Sequence, residues 1–439
     1  SFGAGATDVY LVKTDAVGDT IWTRTNGGSD GDDGYSVAQT SDGGYIVAGR
    51  TSSFGAGFYD VYLVKTDGLG DTLWTRTYGG SDYDVGSSVA QTSDGGYIVA
   101  GLTQSFGAGG TDVYLVKTDA VGDTIWTRTY GRSDGDWGAS VAQTSDGGYI
   151  VAGYTYSFGA GLSDVYLVKT DSVGDTMWTR TYGGSKLDWG YSVAQTSDGG
   201  YIVAGSKVSY GASGDDVYLV KTDAVGDTIW TRTYGGSGYD YGNSVAQTSD
   251  GGYIVAGRTL SFGAGSSDVY LVKTDAVGDT IWTRTYGGSS GDYGFSVAQT
   301  SEGGYIVAGQ TGSFGAGLSD FYLIKTDSLG YTGIEENPPT AKPEAFNLSA
   351  YPNPFNSAVK ISLSCHSRAI GSPEIEIYDI NGRRVKTIPP APLIKGGAEQ
   401  SEAGGSYYWR PDAALGSGVY LVRATLGGES TSKRIVYLK

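Results

Sequence analysis

The sequence predicts an all-β chain. Its first and larger part reads as a β-propeller of four-stranded blades in 52-residue repeats, and a smaller β-sandwich follows it. Three observations carry this. Trp22, Trp74, Trp126, Trp178, Trp230 and Trp282 recur every 52 residues, and periods of this length belong to solenoids and propellers. Each unit holds four short strand-like runs divided by turn signals, with no helical periodicity. From Gly333 the composition shifts abruptly to Pro and Glu, and new strand-like runs begin beyond it.

Within a unit the runs are SVAQT, YIVAG, DVYLVK and TIWTRTY, here called strands A to D. Asp42, Gly43 and Gly44 separate A from B, and TDAVGD (Thr14–Asp19) separates C from D; both are hairpin-length turns. In strand C, Val61 and Leu63 point one way and Tyr62 and Val64 the other. A strand apolar on both faces must be covered on both, as a blade between two blades is. SVAQT is smaller and more polar, which places it innermost. TIWTRTY carries Thr and Arg, which suits a charged outer edge, and Trp126 is expected to pack between blades. The decapeptide TSDGGYIVAG at Thr40 returns unchanged at Thr92, Thr144, Thr196 and Thr248, and with Glu302 for Asp at Thr300. It reads as an architectural hairpin rather than as chemistry. SVAQTSDGGYIVAG, DVYLVKTD and the following Trp resemble the kelch-type blade, with one Gly at Gly49 where that family has a pair. The resemblance implies a propeller and no single function.

Strand C occurs seven times, starting at Asp8, Asp60, Asp112, Asp164, Asp216, Asp268 and Asp320, whereas A, B and D occur six times. Two closures stay open. Seven blades would leave the first incomplete; six would close on residues 20–26 and leave residues 8–13 surplus. The seven-bladed reading accounts for the extra C strand.

The chain has 439 residues, 74 of them Gly, and a net charge of −17. That charge argues against nucleic acid as a partner, which calls for clustered Lys and Arg. Almost all acid before residue 335 is Asp, the acid that turns favour. One cysteine, Cys365, allows no intrachain disulfide, and no apolar run is long enough for a transmembrane helix. The sequence opens at Ser1 inside a repeat, so a processed or partial chain is expected.

Variation between repeats concentrates in the B–C connection (RTSSFGAGFYD at Arg50, YTYSFGAGLSD at Tyr154) and the D–A connection (SDGDWGA, SKLDWGY, SGYDYGN). Both emerge on one side of an antiparallel blade. Aromatic residues gather there: Phe58, Tyr59, Trp137, Tyr154, Tyr156, Trp189, Tyr191, Tyr239, Tyr241 and Tyr293. Aromatics beside Asp, Ser and Gly suit recognition of a glycan or a protein surface; drift after duplication is the competing explanation. Each D–A connection keeps one Asp (Asp32, Asp84, Asp136, Asp188, Asp240, Asp292). Turn capping is the expected role and calcium the alternative, and no cofactor is predicted. Three copies begin Asp-x-Asp-x-Gly, at Asp30, Asp82 and Asp134, but the others carry Lys186, Gly238 and Ser290, short of a calcium loop. The only histidine is His366, which leaves no His for a Ser-His-Asp site among the repeats, and no catalytic role is expected.

Residues 333–346 read as an extended linker. Beyond it, about seven short strands with an Asn381-Gly382 turn predict an immunoglobulin-like sandwich over 347–439. NLSAYPNPFNSAVKISL, IYDINGRRV, GSGVYLVRA and KRIVYLK resemble the C-terminal sorting domain of the type IX secretion system. The matching positions include Tyr351, Pro352, Asn353, Pro354, Phe355, Asn356, Gly382, Gly418, Tyr420 and Lys439. The resemblance implies the outer-membrane secretion machinery as a partner and an extracellular or outer-surface location. The expected function is a surface propeller (residues 1–332) binding a glycan or protein. A ligand-free spacer and an Asp-based glycan-active enzyme are the alternatives.

Overall fold

A computed structural model describes residues 3–208, 214–332, 347–366, 374–379, 383–388, 394–395, 402–412, 414–426 and 429–439. The chain divides into two compact units, Ser1–Gly333 and Ile334–Lys439. The predicted linker and Gly382 lie outside the described residues, which contain no helix.

The first unit is a series of antiparallel sheets. An opening pair, Val9–Thr14 with Thr20–Asn26, comes first. Five four-stranded sheets follow, then a three-stranded closing sheet ending in Asp320–Thr326. Strand order across each full sheet is A, B, C, D. Strand A is longer than SVAQT: in the first full sheet it runs Asp32–Gln39, with a bulge between Gly34 and Ser36. The Asp expected in the connection therefore opens a strand. Its buried carboxylate accepts hydrogen bonds from the Gly28 N–H at 2.7 Å, the Ser53 hydroxyl at 2.6 Å and the Thr51 hydroxyl. Those bonds offset the cost of burying the charge and fix where the strand starts.

The copied decapeptide now has a physical reason. Gly43 sits at φ 85°, which a side chain would resist, and its N–H closes the turn on the Thr40 carbonyl at 2.9 Å. Gly49 lies opposite the bulge, where an added Cβ would fall 1.8 Å from the Asp33 carbonyl oxygen. Between them Tyr45–Thr51 pairs with both neighbours, A and C. Each residue is held by a turn, a bulge or two flanking strands.

Sheets cover one another face to face. Ile46, Ala48, Val61 and Leu63 of the first full sheet meet Val89, Tyr97, Val99, Tyr114 and Val116 of the second. The opposite face of the first, with Val47, Tyr62 and Val64, meets Val9 and Leu11 of the opening pair. The two apolar faces of strand C are thus both covered, and each such side chain contributes roughly 1.5–3 kcal/mol on burial. Polar staples cross the same boundaries. The Tyr78 hydroxyl donates to the Gly122 carbonyl at 2.7 Å, the Ser93 N–H donates to Gln143 Oε1 at 2.8 Å, and Arg76 lies 3.4 Å from Asp123. Trp126 is half-buried, edge-on to Tyr149 of the next sheet at 5.8 Å. At the ends of the series, Tyr10 of the opening pair lies 5.8 Å from Phe321 of the closing sheet, and Lys325 Nζ donates to the Ala16 carbonyl at 3.2 Å.

The second unit has two four-stranded sheets. One orders Asn347–Tyr351, Val359–His366, Glu402–Trp409 and Ile394–Lys395; the other orders Arg384–Ile388, Glu374–Asp379, Gly418–Leu426 and Glu429–Tyr437. They share one core that includes Ile361, Trp409, Val422 and Ile435.

The five A–B turns that keep the Asp each carry an ion pair. Lys117, with its side chain buried, lies 2.9 Å from Asp94. Burial pushes the Asp94 carboxyl up, but hydrogen bonds from the Thr92 hydroxyl, Lys117 and the Gly96 N–H outweigh it and hold the group at about 2; Asp146, Asp198 and Asp250 are held likewise. These values lie below the unfolded value of about 3.9, so the stabilisation is complete above that pH and is lost as pH falls toward 2. The melting temperature should fall steadily between about pH 4 and pH 2, and exchanging these four Asp for Asn should flatten that slope in a calorimetric series. Trp126→Ala should cost about 2 kcal/mol in a denaturant titration, below the range for fully buried aromatics because the ring is only half covered.

Candidate functional site

The variable positions fall at one cross-strand pair in each sheet. The second residue of strand A faces the sixth of strand B: Asp33 with Arg50, Val85 with Leu102, Trp137 with Tyr154, Trp189 with Ser206, Tyr241 with Arg258, and Tyr293 with Gln310. The bulged residue of strand A also varies, as Tyr35, Ser87, Ala139, Tyr191, Asn243 and Phe295. A bulge re-aims its side chain away from the ladder. The invariant Asp and Gly on either side hold the strand while these side chains change.

This corrects the expectation that the aromatics are loop residues. Trp137, Trp189, Tyr241 and Tyr293 lie in A strands, Tyr191 is a bulge residue, and Tyr154 lies in strand B. Anchoring of the preceding Asp pulls them into the sheet. Phe58, Tyr59, Tyr156 and Tyr239 lie in connections.

The structure brings most of them together. Trp137 stacks on Tyr154 with centroids 4.9 Å apart and an 18° interplanar angle. Tyr156 stands edge-on to Trp137 at 5.5 Å, and Trp189 edge-on to Tyr154 at 6.4 Å. Tyr191 lies within electrostatic reach of Tyr154, Asp215 and Arg258. The Arg258 guanidinium lies 4.4 Å from the Tyr241 ring centre and 5.2 Å from that of Tyr293. Trp137, Tyr154 and Trp189 are each partly exposed, and Tyr156 more so. A second, smaller group forms from Phe58 stacked on Tyr83 at 5.9 Å, with Tyr59 5.2 Å from Tyr83 and Arg50 over Tyr59 at 4.4 Å. Tyr239 is exposed and joins neither group through any described ring contact.

Burial raises Tyr154 and Tyr191 to about 12. Tyr241 reaches the same value through burial and then the neighbouring Asp215 charge. All three hydroxyls are therefore protonated donors at neutral pH. Burial also pushes the Asp215 carboxyl up, against a hydrogen bond with Tyr241. Sequence reasoning missed Arg50, Arg258 and Asp215. Arg50 and Arg258 share the strand B position of Tyr154, so the repeat alignment held their signal.

The invariant Asp residues work on the scaffold. Asp136, like Asp32, accepts from a Ser and a Thr hydroxyl, here Ser157 at 2.7 Å and Thr155. Asp30, Asp82 and Asp134 are exposed. Among the described residues no group of three His, Cys, Asp or Glu is placed to hold a metal ion.

In the second unit, the YPNPFN segment clasps the last strand. Asn353 stands in for a strand edge: its side-chain amide donates to the Arg434 carbonyl at 3.0 Å and its Oδ1 accepts from the Val436 N–H at 2.8 Å. The Phe355 N–H donates to the Val436 carbonyl at 2.9 Å and its carbonyl accepts from Leu438 at 2.8 Å. The Phe355 ring is buried against Trp409 and Tyr437. Tyr420 is buried and its hydroxyl donates to the Gly416 carbonyl at 2.8 Å, while the Lys439 N–H donates to the Ser417 hydroxyl at 2.8 Å. Gly418 opens the strand paired with Glu429–Tyr437. Tyr351, Pro352, Pro354 and Asn356 face solvent.

Residues 349–400 match a family described as a secretion system C-terminal sorting domain. The match includes Tyr351–Asn356 and ends before Gly418, Tyr420 and Lys439. It indicates export to the cell surface or extracellular space and implies contact with the secretion machinery. A 157-residue stretch is 31% identical to the regulatory protein FlaEY of Caulobacter vibrioides, covering 30% of this chain and 16% of that protein. The chain thus spans only a small part of that relative.

Asn353→Ala should remove both strand-edge bonds at a cost of about 1–2 kcal/mol. Faster hydrogen exchange at the Val436 amide, with exchange in the repeat sheets unchanged, is the expected result.

Proposed function

We propose that the first unit closes into a kelch-like β-propeller of seven positions and binds a glycan through the Trp137–Tyr154–Trp189 surface. The second unit is an immunoglobulin-like sandwich that addresses it to the type IX secretion route. Seven positions are the opening pair, the five full sheets and the closing sheet. The contacts of Tyr10 with Phe321 and of Lys325 with Ala16 support closure between the last position and the first.

The observation that carries the binding role is the stacked pair Trp137–Tyr154, with Trp189 and Tyr156 edge-on around it, on a scaffold that otherwise repeats itself. Flat aromatic faces attract the polarised C–H groups of sugar rings. The neighbouring Tyr191, Tyr241, Arg258 and Asp215 supply the donors and acceptors that orient hydroxyl groups. The preference for recognition over catalysis rests on the aromatic make-up of this surface, with Asp215 beside Tyr241.

Glycan-array screening followed by titration calorimetry tests this. Trp137→Ala and Trp189→Ala should each weaken binding about tenfold or more, with the melting temperature nearly unchanged. Binding that survives both changes, or a folded chain that recognises only protein in surface extracts, would overturn the glycan assignment.

A further inference from the structure

The sixth position of strand B holds an arginine in two sheets, as Arg50 and as Arg258. Both rest against rings. The Arg50 guanidinium lies 4.4 Å from the Tyr59 ring centre, and that of Arg258 lies 4.4 Å from the Tyr241 ring centre and 5.2 Å from that of Tyr293. They differ in what stands opposite on strand A. Arg50 faces Asp33, and its Nε and Nη2 each lie 2.9 Å from one Asp33 carboxylate oxygen. Arg258 faces Tyr241. A ring has taken the place of the carboxylate, and among the described residues no ion pair joins Arg258 to an acid.

Arg258 is continuous with the stacked aromatic pair. Trp137 and Tyr154 lie in the third full sheet, Trp189 and Tyr191 in the fourth, and Tyr241 and Arg258 in the fifth. The third sheet packs on the fourth and the fourth on the fifth. Tyr191 lies within electrostatic reach of both Tyr154 and Arg258 and so spans the two groups. Arg258, Tyr241 and Tyr293 are each half-buried, which leaves part of each open to a ligand. Asp215 is close to Tyr241, but it is buried, and burial pushes its carboxyl up. A guanidinium resting on aromatic faces keeps its charge, and its forked N–H edge matches the two oxygens of a carboxylate.

We infer that the ligand is an acidic oligosaccharide, one of whose sugars carries a carboxylate that pairs with Arg258 while another stacks on the Trp137–Tyr154–Trp189 surface. The Arg50–Asp33 contact shows, within the same chain, the bond that Arg258 makes to its ligand. The ligand is an oligosaccharide because it reaches from the third full sheet across the fourth to the fifth. A carboxylated sugar fits better than a heavily sulfated one, because the net charge of −17 repels a dense polyanion. The inference rests on the glycan reading above and adds the charge of the glycan and the residue that selects it.

The full chain is screened on an array holding neutral, carboxylated and sulfated glycans. Glycans with uronic-acid or sialic-acid sugars should be retained most strongly. The best of them is then titrated beside its carboxyl methyl ester, which keeps the shape and removes the charge. The ester should bind about tenfold or more weakly, as loss of a charged hydrogen bond does. Arg258→Gln should weaken the acid by the same factor and leave the ester unchanged, so that the two losses do not add. Arg50→Gln, whose arginine is already paired with Asp33, should bind the acid as the unchanged chain does. Equal binding of acid and ester, unchanged binding of the acid by Arg258→Gln, or retention of sulfated glycans alone would overturn the inference. Neutral glycans bound in preference, with loss of that binding in Trp137→Ala, would leave the glycan reading standing and sink the acidic one. A folded chain that retains no glycan would sink both.

Discussion

The face of one sheet must be covered by the next, and the rest of the first unit follows from that. Strand C is apolar on both sides, so a sheet standing alone would leave Val61 and Leu63, or Tyr62 and Val64, in water. Stacking buries both sets, and the contact surface is built the same way each time. A repeat of this kind gains its stability from neighbour contacts as much as from its own strands. This is why the repeats resist change. A substitution in YIVAG or DVYLVK alters a sheet and its partner together, and the Tyr78-type and Gln143-type hydrogen bonds tie each copy to the next.

Variation is therefore confined to positions that carry none of this load. The second residue of strand A, the sixth of strand B and the bulge residue between the strand A Gly and Ser meet that condition. Asp136 and Gly138 hold the backbone around Trp137, which leaves the side chain open to selection. A rigid frame with a few variable side chains is an economical way to present a recognition surface, because little ordering accompanies binding. The sorting unit shows a different division. Phe355, Tyr420 and Asn353 are spent on holding the last strand, while Tyr351 and Asn356 stay exposed beside it.

Much of the fold was legible in the sequence because its signals are local and repeated. The 52-residue period, the Asp-Gly-Gly turn and the two-faced strand C each name their structure directly, and the order A to D followed from their polarity. The site was legible only in outline. Trp137 and Tyr154 were identified as aromatic and variable, but the bulge that makes them a cross-strand pair depends on where Asp136 anchors the strand, and burial of that Asp is a tertiary event. Arg258 escaped notice because its role appears only when Tyr241 and Tyr293, 52 residues apart, come to flank it.

Mutual covering can be tested by opening one boundary and asking how far the damage travels. Tyr201 is buried between the third and fourth full sheets, so Tyr201→Ala with residue-resolved hydrogen exchange is the most direct measurement. Lowered protection in strands B and C of both adjoining sheets, Tyr149–Thr155 and Asp164–Thr170 as well as Tyr201–Val208 and Asp215–Thr222, is the expected result. Loss confined to the mutated sheet, with its neighbour fully protected, would contradict the dependence of each sheet on the next.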